Sequence, residues 1–391
     1  MPRKKHLLRS KNMQLIIVVT MVTMAGVSVI SPALPVIQQA FEVETSKIGL
    51  LMTAFSFPGI ISIPIAGIMA DRLGRRKVIV PMLLLYSIAG CLCFFAPNFG
   101  VLLMLRFLSG IGAGALATLS LILIGDLFDE KEQKEALGYR TSFGYFSSGI
   151  LPIFGGFLAV VSWNYPFLLF LLGIPISLMA MTILVDEKIN TDASLKEYLK
   201  QIGRGLSNSR TFTLLTVAPA LMIINQGVLA TFLPIYLVYK FGASTAVIGI
   251  IISTRVIAGS LIAFFMGKLT DCFKEEGLLI SSFIILAITV SFIPFVTSIW
   301  FMIVPVMLIG FATGVSFPAF QSLLIAEAPK ELRAGVMSAN GVTNRTGQAA
   351  GPILTGTLYA AGGFDTVFFG ASIFLVIMII FLAISFHKHM N

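Results

Sequence analysis

The stretch "GIMADRLGRRKVIV", Gly67 to Val80, sets one acid and four bases between two apolar runs. Its surroundings decide how it is read. The 391-residue chain is 57% hydrophobic and only 12% charged, with a mean hydropathy of +0.95, whereas roughly a quarter of an ordinary soluble domain is charged. Such a chain belongs in a bilayer, where only helices or closed barrels satisfy backbone N–H and C=O groups internally. The runs reach the roughly 20 residues that a spanning helix needs and are too long for barrel strands. Charge, Gly, Pro and Asn divide them into about twelve spans, near 13–38, 48–70, 77–97, 100–125, 136–160 and 164–185, then 212–239, 246–269, 277–296, 299–326, 334–360 and 364–386.

The net charge of +9 raises nucleic acid as a partner, and the placement of the bases excludes it. Apart from Lys47 and Lys240 on the other side and Arg106, Arg255 and Arg345 inside spans, the Lys and Arg residues, 22 of 27, fall in the two tails and alternate loops. That bias sets both termini in the cytoplasm. The basic start leads into a span longer than a signal-peptide core and without a small-residue cleavage site, which reads as a retained first helix. Cys91, Cys93 and Cys272 lack ligand spacing and read as packing residues, so neither metal nor cofactor is expected.

The two halves repeat at a fixed offset. Gly49, Gly59, Gly67, Asp71, Gly110, Gly114, Pro152 and Gly156 return as Gly249, Gly259, Gly267, Asp271, Gly310, Gly314, Pro352 and Gly356. The expected fold is all-α and integral to the membrane, with two pseudo-symmetric six-helix bundles and a site near the midplane between them. The divisions are 1–185, a cytoplasmic linker 186–210, and 211–391. In the linker, Ser194 and Glu197 form a capping box, and Leu195, Tyr198, Leu199, Ile202 and Leu206 share one face of a helix expected to lie on the membrane surface.

The opening stretch lies between spans 2 and 3, where Gly67, Asp71, Arg72, Gly74, Arg75, Arg76 and Lys77 follow the pattern G-x-x-x-D-R-x-G-R-R-K. This closely resembles the cytoplasmic loop signature of the major facilitator superfamily, and the likeness covers all twelve spans. In span 4, "LRFLSGIGAGA" with Arg106, Gly110, Gly112 and Gly114 resembles the helix motif of the drug:proton antiporters. Span 5 departs from their G-x-x-x-G-P-x-x-G-G pattern. Pro152, Gly155 and Gly156 match, but Ser147 and Leu151 replace glycines; span 11 carries a better copy in Gly347, Gly351, Pro352 and Gly356.

The resemblance implies a conformational latch. Gly67 allows close helix approach, Asp71 accepts from the free N–H groups at the start of span 11, and Arg75 pairs with Asp126 at the end of span 4. These contacts would close the cytoplasmic side in one state and break in the other. A bare topology signal would need the bases but neither Asp71 nor the glycines.

Three bases lie deep inside spans, whereas all 18 acids can be placed in loops or at helix ends. Intramembrane ionisable residues face a bundle interior or a cavity. Arg106 reads as a proton-coupling or cavity residue. Arg345, with Asn340, Asn344 and Gln348 around it, and Arg255 read as cavity residues, Arg255 alternatively as a snorkelled or carbonyl-paired base. Guanidiniums without carboxylates disfavour a cationic ligand. The expected function is proton-coupled efflux of small lipophilic neutral or anionic drugs or metabolites by alternating access, as antiport conferring drug resistance. The alternative is a transporter for a specific sugar, organic acid or siderophore-like metabolite. The expected partners are a small-molecule substrate, protons and the lipid bilayer, for a monomer in the plasma membrane, the inner membrane of a bacterium. A receptor or enzyme is disfavoured: the sequence has no metal cluster, nucleophile and base pair, or P-loop.

Overall fold

The computed structural model describes residues 4–184, 209–327 and 333–388. Apart from Ser209 and Arg210, the linker 186–210 and its surface helix lie outside the described residues. Ten membrane-length helices run in order: α1 (Lys11–Ala40), α2 (Leu50–Leu73), α3 (Arg75–Phe95), α4 (Phe99–Leu127), α5 (Glu130–Val161), α6 (Tyr165–Ile183), α7 (Arg210–Phe241), α8 (Thr245–Phe264), α9 (Glu275–Phe295) and α10 (Ile303–Glu327). The continuous stretch Arg333–Lys388 is two more, α11 (333–361) and α12 (364–388), broken where Gly362 and Gly363 leave helical geometry. Gly363 has φ 72°, a conformation open to glycine, so the chain reverses without a polar loop.

Local chemistry sets the boundaries. Asn98 caps α4 by accepting from the Val101 N–H at 2.9 Å, and Asp129 caps α5 through the Glu132 N–H at 2.8 Å. That cap starts α5 at Glu130, earlier than hydropathy predicted. Between α2 and α3, Gly74 holds φ 101° and ψ 148°, a region essentially closed to other residues. Pro64, Pro81, Pro152, Pro219, Pro318 and Pro352 all stand inside helices, as bilayer helices permit where neighbours cover the freed carbonyls.

The repeat becomes packing. An added Cβ at Gly49 would lie 2.8 Å from the Pro352 carbonyl oxygen, and one at Gly249 would lie 2.3 Å from that of Pro152. Likewise, a Cβ at Gly156 would meet the Thr245 oxygen and one at Gly356 the Ser46 oxygen, each at 2.3 Å. The repeated glycines of one half thus press on the backbone of the other, around a pseudo-twofold axis. Small residues serve this way because lipid gives helices no hydrophobic reason to associate and close backbone contact must supply the attraction. Gly155 does the same within its half, on the Val29 carbonyl, as do Gly110 on Phe55, Gly114 on Gly59, Gly347 on Pro219 and Gly351 on Gly227.

Candidate functional site

One end of the bundle carries the basic loops and is called the basic face below. Hydrogen bonds between the halves gather toward the opposite face. Ser31 donates to the Ala230 carbonyl at 2.6 Å, Thr53 to Ala349 at 2.8 Å, and Thr245 to Gly156 at 2.8 Å. At the basic face the halves stand apart. A Cβ at Gly125, Gly138, Gly267 or Gly341 would meet nothing within 4 Å, and Phe264 is 84% exposed. Among the described residues the molecule is closed at one end and open at the other.

The opening stretch sits on this open end, within the N-terminal half. Arg75, buried, donates through Nε to Asp126 Oδ2 at 2.7 Å and through Nη1 to Asp71 Oδ1 at 2.5 Å. Its guanidinium therefore ties α2, α3 and α4 together, and the Arg75 to Asp126 pair has the geometry that the motif implied. Two other expectations differ. Asp71 is engaged by Arg75 and makes no bond to α11 among the described residues. Gly67 is not packed against a helix: its Cβ would meet only Ile122 Cδ1 at 4.0 Å. Both have one cause, the separation of the halves at this face. Arg72 is exposed and Arg76 half-buried, neither ion-paired among the described residues.

Between the halves lies a cavity of about 370 Å³, lined from α1, α2, α4, α5, α7, α8, α10 and α11. Arg255, Arg345 and Gln348 line it, as expected from their position inside spans. Arg255 Nη1 donates to Asn225 Oδ1 on α7. Arg345 Nη1 donates to Gln348 Oε1 at 3.0 Å, and Gln348 Nε2 donates to Asn344 Oδ1 at 3.0 Å. Asn344 supports the wall from behind. Asn340, one turn nearer the basic face, does not line the cavity, and its Oδ1 is buried without a hydrogen-bond partner among the described residues.

Arg106 does not line the cavity. It is fully buried behind Phe55, which does, with its guanidinium 4.1 Å from the centre of that ring. Its Nη2 donates to the Gly26 carbonyl on α1 at 2.6 Å, while Nε and Nη1 find no partner among the described residues. The small side chains of Gly110 and Gly114 bring α4 against α2 and place the arginine in this inner position.

Three participants were not singled out from sequence. Arg140 donates through Nε to Ser120 Oγ at 3.0 Å and through Nη2 to the carbonyl of Ala117, itself a lining residue, at 3.1 Å. An arginine five residues inside the expected start of span 5 was the available signal. Asn225 and Gln226 belong to a π-helical stretch of α7, Ile223–Phe232. The Thr231 hydroxyl donates to the Gln226 carbonyl at 2.6 Å, five residues back, a carbonyl within its reach in this wider winding. Both amides consequently face the cavity. Their polarity in an apolar span was a signal; the winding had none.

Helices in two pseudo-symmetric bundles around a central cavity are the architecture of a membrane transport protein. The chain matches the model of the Major Facilitator Superfamily over residues 16–224 and 215–389 and belongs to that family. It is 27% identical to the bacillibactin exporter of Bacillus subtilis, with 96% of each chain covered. It is 26% identical to the quinolone resistance protein NorA of Staphylococcus aureus strain MRSA252, covering 85% of this chain and 86% of that one. Among solved structures, a bacterial homolog of the human lysosomal transporter Spinster, inward-facing and occupied, superposes with a TM-score of 0.79 at 16% identity over 96% of both chains. The human organic anion transporter MFSD10 superposes with a TM-score of 0.68 at 17% identity, over 95% of this chain and 99% of that one.

Proposed function

We propose that this secondary transporter exports small lipophilic compounds, neutral or anionic, in exchange for protons. The observation that carries the reading is the cavity between the halves, closed toward the opposite face and bordered by arginines that no carboxylate neutralises among the described residues. We assign the basic face to the cytoplasm by the positive-inside rule, so the described state is open to the cytoplasm. In this reading residues 1–185 and 211–391 rock about the cavity, and the linker 186–210 joins them. Asp71, freed from Arg75, engages the start of α11 when the cytoplasmic side closes, with Gly67 providing the room and Asp126 retaining Arg75. Arg106 acts on coupling from behind Phe55 by holding α1 at Gly26.

A second reading is export of a specific siderophore-like metabolite, and it is favoured by the fuller coverage of the bacillibactin exporter than of NorA. Everted membrane vesicles separate the two. With an acid interior, a proton-coupled exporter takes up labelled substrate at least about fivefold faster than without the gradient, and a protonophore abolishes the difference. Uptake of several unrelated drugs supports the first reading; uptake confined to a siderophore supports the second. Transport indifferent to the pH gradient would remove proton coupling from both.

A further inference from the structure

The two walls of the cavity differ in kind. From α1, α2, α4 and α5 come Met24, Val27, Phe55, Ala113 and Pro152, with hydroxyls between them and no charged side chain. From α7, α8 and α11 come Asn225, Gln226, Arg255, Arg345 and Gln348. Both arginines of this second wall are already oriented, Arg255 by Asn225 and Arg345 by Gln348. Each holds a neutral amide oxygen, so its charge is uncompensated. Outside the cavity, Arg75 pairs with Asp71 and Asp126, and Arg210 with Glu276 at 2.6 Å and Glu327 at 3.4 Å, whereas Arg106 and Arg140, which do not line the cavity, are held by neutral oxygens. Removing cations from water without a counterion is costly, and the cost is offset when a ligand brings the anion. A guanidinium presents a planar fork of donors that fits a carboxylate.

We propose that the transported compound is an amphipathic carboxylate that binds in a fixed orientation, its carboxylate between Arg255 and Arg345 on the C-terminal half and its apolar body on the Met24 and Phe55 wall of the N-terminal half. This rests on the cavity being the transport site, and it narrows the substrate class. It also assigns separate jobs to the halves: one holds the charge, the other the hydrophobic surface, so closure around the substrate needs both parts of one molecule.

The test is equilibrium binding of matched probes to the full chain in nanodiscs, with empty nanodiscs subtracted and no gradient present, so that it reads the site whether or not transport proves proton-coupled. The probes are 2-naphthoate, its methyl ester and naphthylmethyl-trimethylammonium. We expect 2-naphthoate to bind at least about tenfold more tightly than the ester, and the cation most weakly, a tenfold ratio being about 1.4 kcal/mol. Arg255→Gln and Arg345→Gln should each erase most of that preference while leaving ester binding within about twofold, which also shows that the variants are folded. Met24→Ala should weaken acid and ester by the same factor. Equal or tighter binding of the ester or cation overturns the proposal, as does an equal loss of all three probes in the arginine variants. Failure of every probe to bind the unmodified protein overturns it too.

Discussion

Single residues here do work that their type alone does not announce. Gly74 separates α2 from α3 at φ 101° and ψ 148°, and a side chain there strains the backbone by about 2 kcal/mol. Gly74→Ala is therefore expected to lower the melting temperature of the purified protein by a few degrees and to loosen the Arg75 cluster beside it. An unchanged melting curve would mean the turn relaxes freely. Arg75 and Arg106 show opposite solutions for a buried guanidinium. The first satisfies two carboxylates, whereas the second has one carbonyl and an aromatic face, with two donors unpartnered among the described residues. Only the motif spacing marked both as special. That neither lines the cavity followed from the packing of α2, α3 and α4.

At the scale of helices, the seal at the opposite face is made of glycine against backbone, and a methyl group is enough to disturb it. A Cβ at Gly249 would sit 2.3 Å from the Pro152 oxygen, a distance that the helices can relieve only by separating. Gly249→Ala and its pseudo-symmetric counterpart Gly49→Ala should both weaken the closed end, Gly249 more, because the Gly49 approach is 2.8 Å. Spin labels placed across that face should show a longer mean distance in the variants, with transport reduced several-fold. Distances identical to the unmodified protein would show that the glycines fill space without setting the seal. The π-helical stretch of α7 belongs to the same scale. By widening the helix it turns both Asn225 and Gln226 to the cavity and lets Asn225 reach Arg255.

For the whole molecule, the proposed latch would balance the described state against a second. Here Asp71 is held by Arg75, and the halves are apart at the basic face. Asp71→Asn removes the charge that would meet the start of α11, so it should leave membrane insertion intact and slow transport tenfold or more, and labels across the basic face should report an increased open fraction. Normal transport by well-expressed Asp71→Asn protein would sink the latch reading. Sequence by itself determined the twelve spans and the two halves. Hydropathy needs only the local run of side chains, and a repeat at one offset, from Gly49 and Pro152 to Gly249 and Pro352, needs only chain order. Helix rotation was beyond it. In a soluble helix a polar stripe marks the outer face, but lipid is as apolar as the protein interior, so in α4 and α8 only an arginine and the glycines mark an inner side, and they do not say whether that side meets a helix or the cavity. Tertiary structure alone therefore decided that Arg106 lies behind Phe55, that Arg140 grips α4, and that the charge of the cavity belongs to one wall, because these depend on the angle at which each helix is turned against the next.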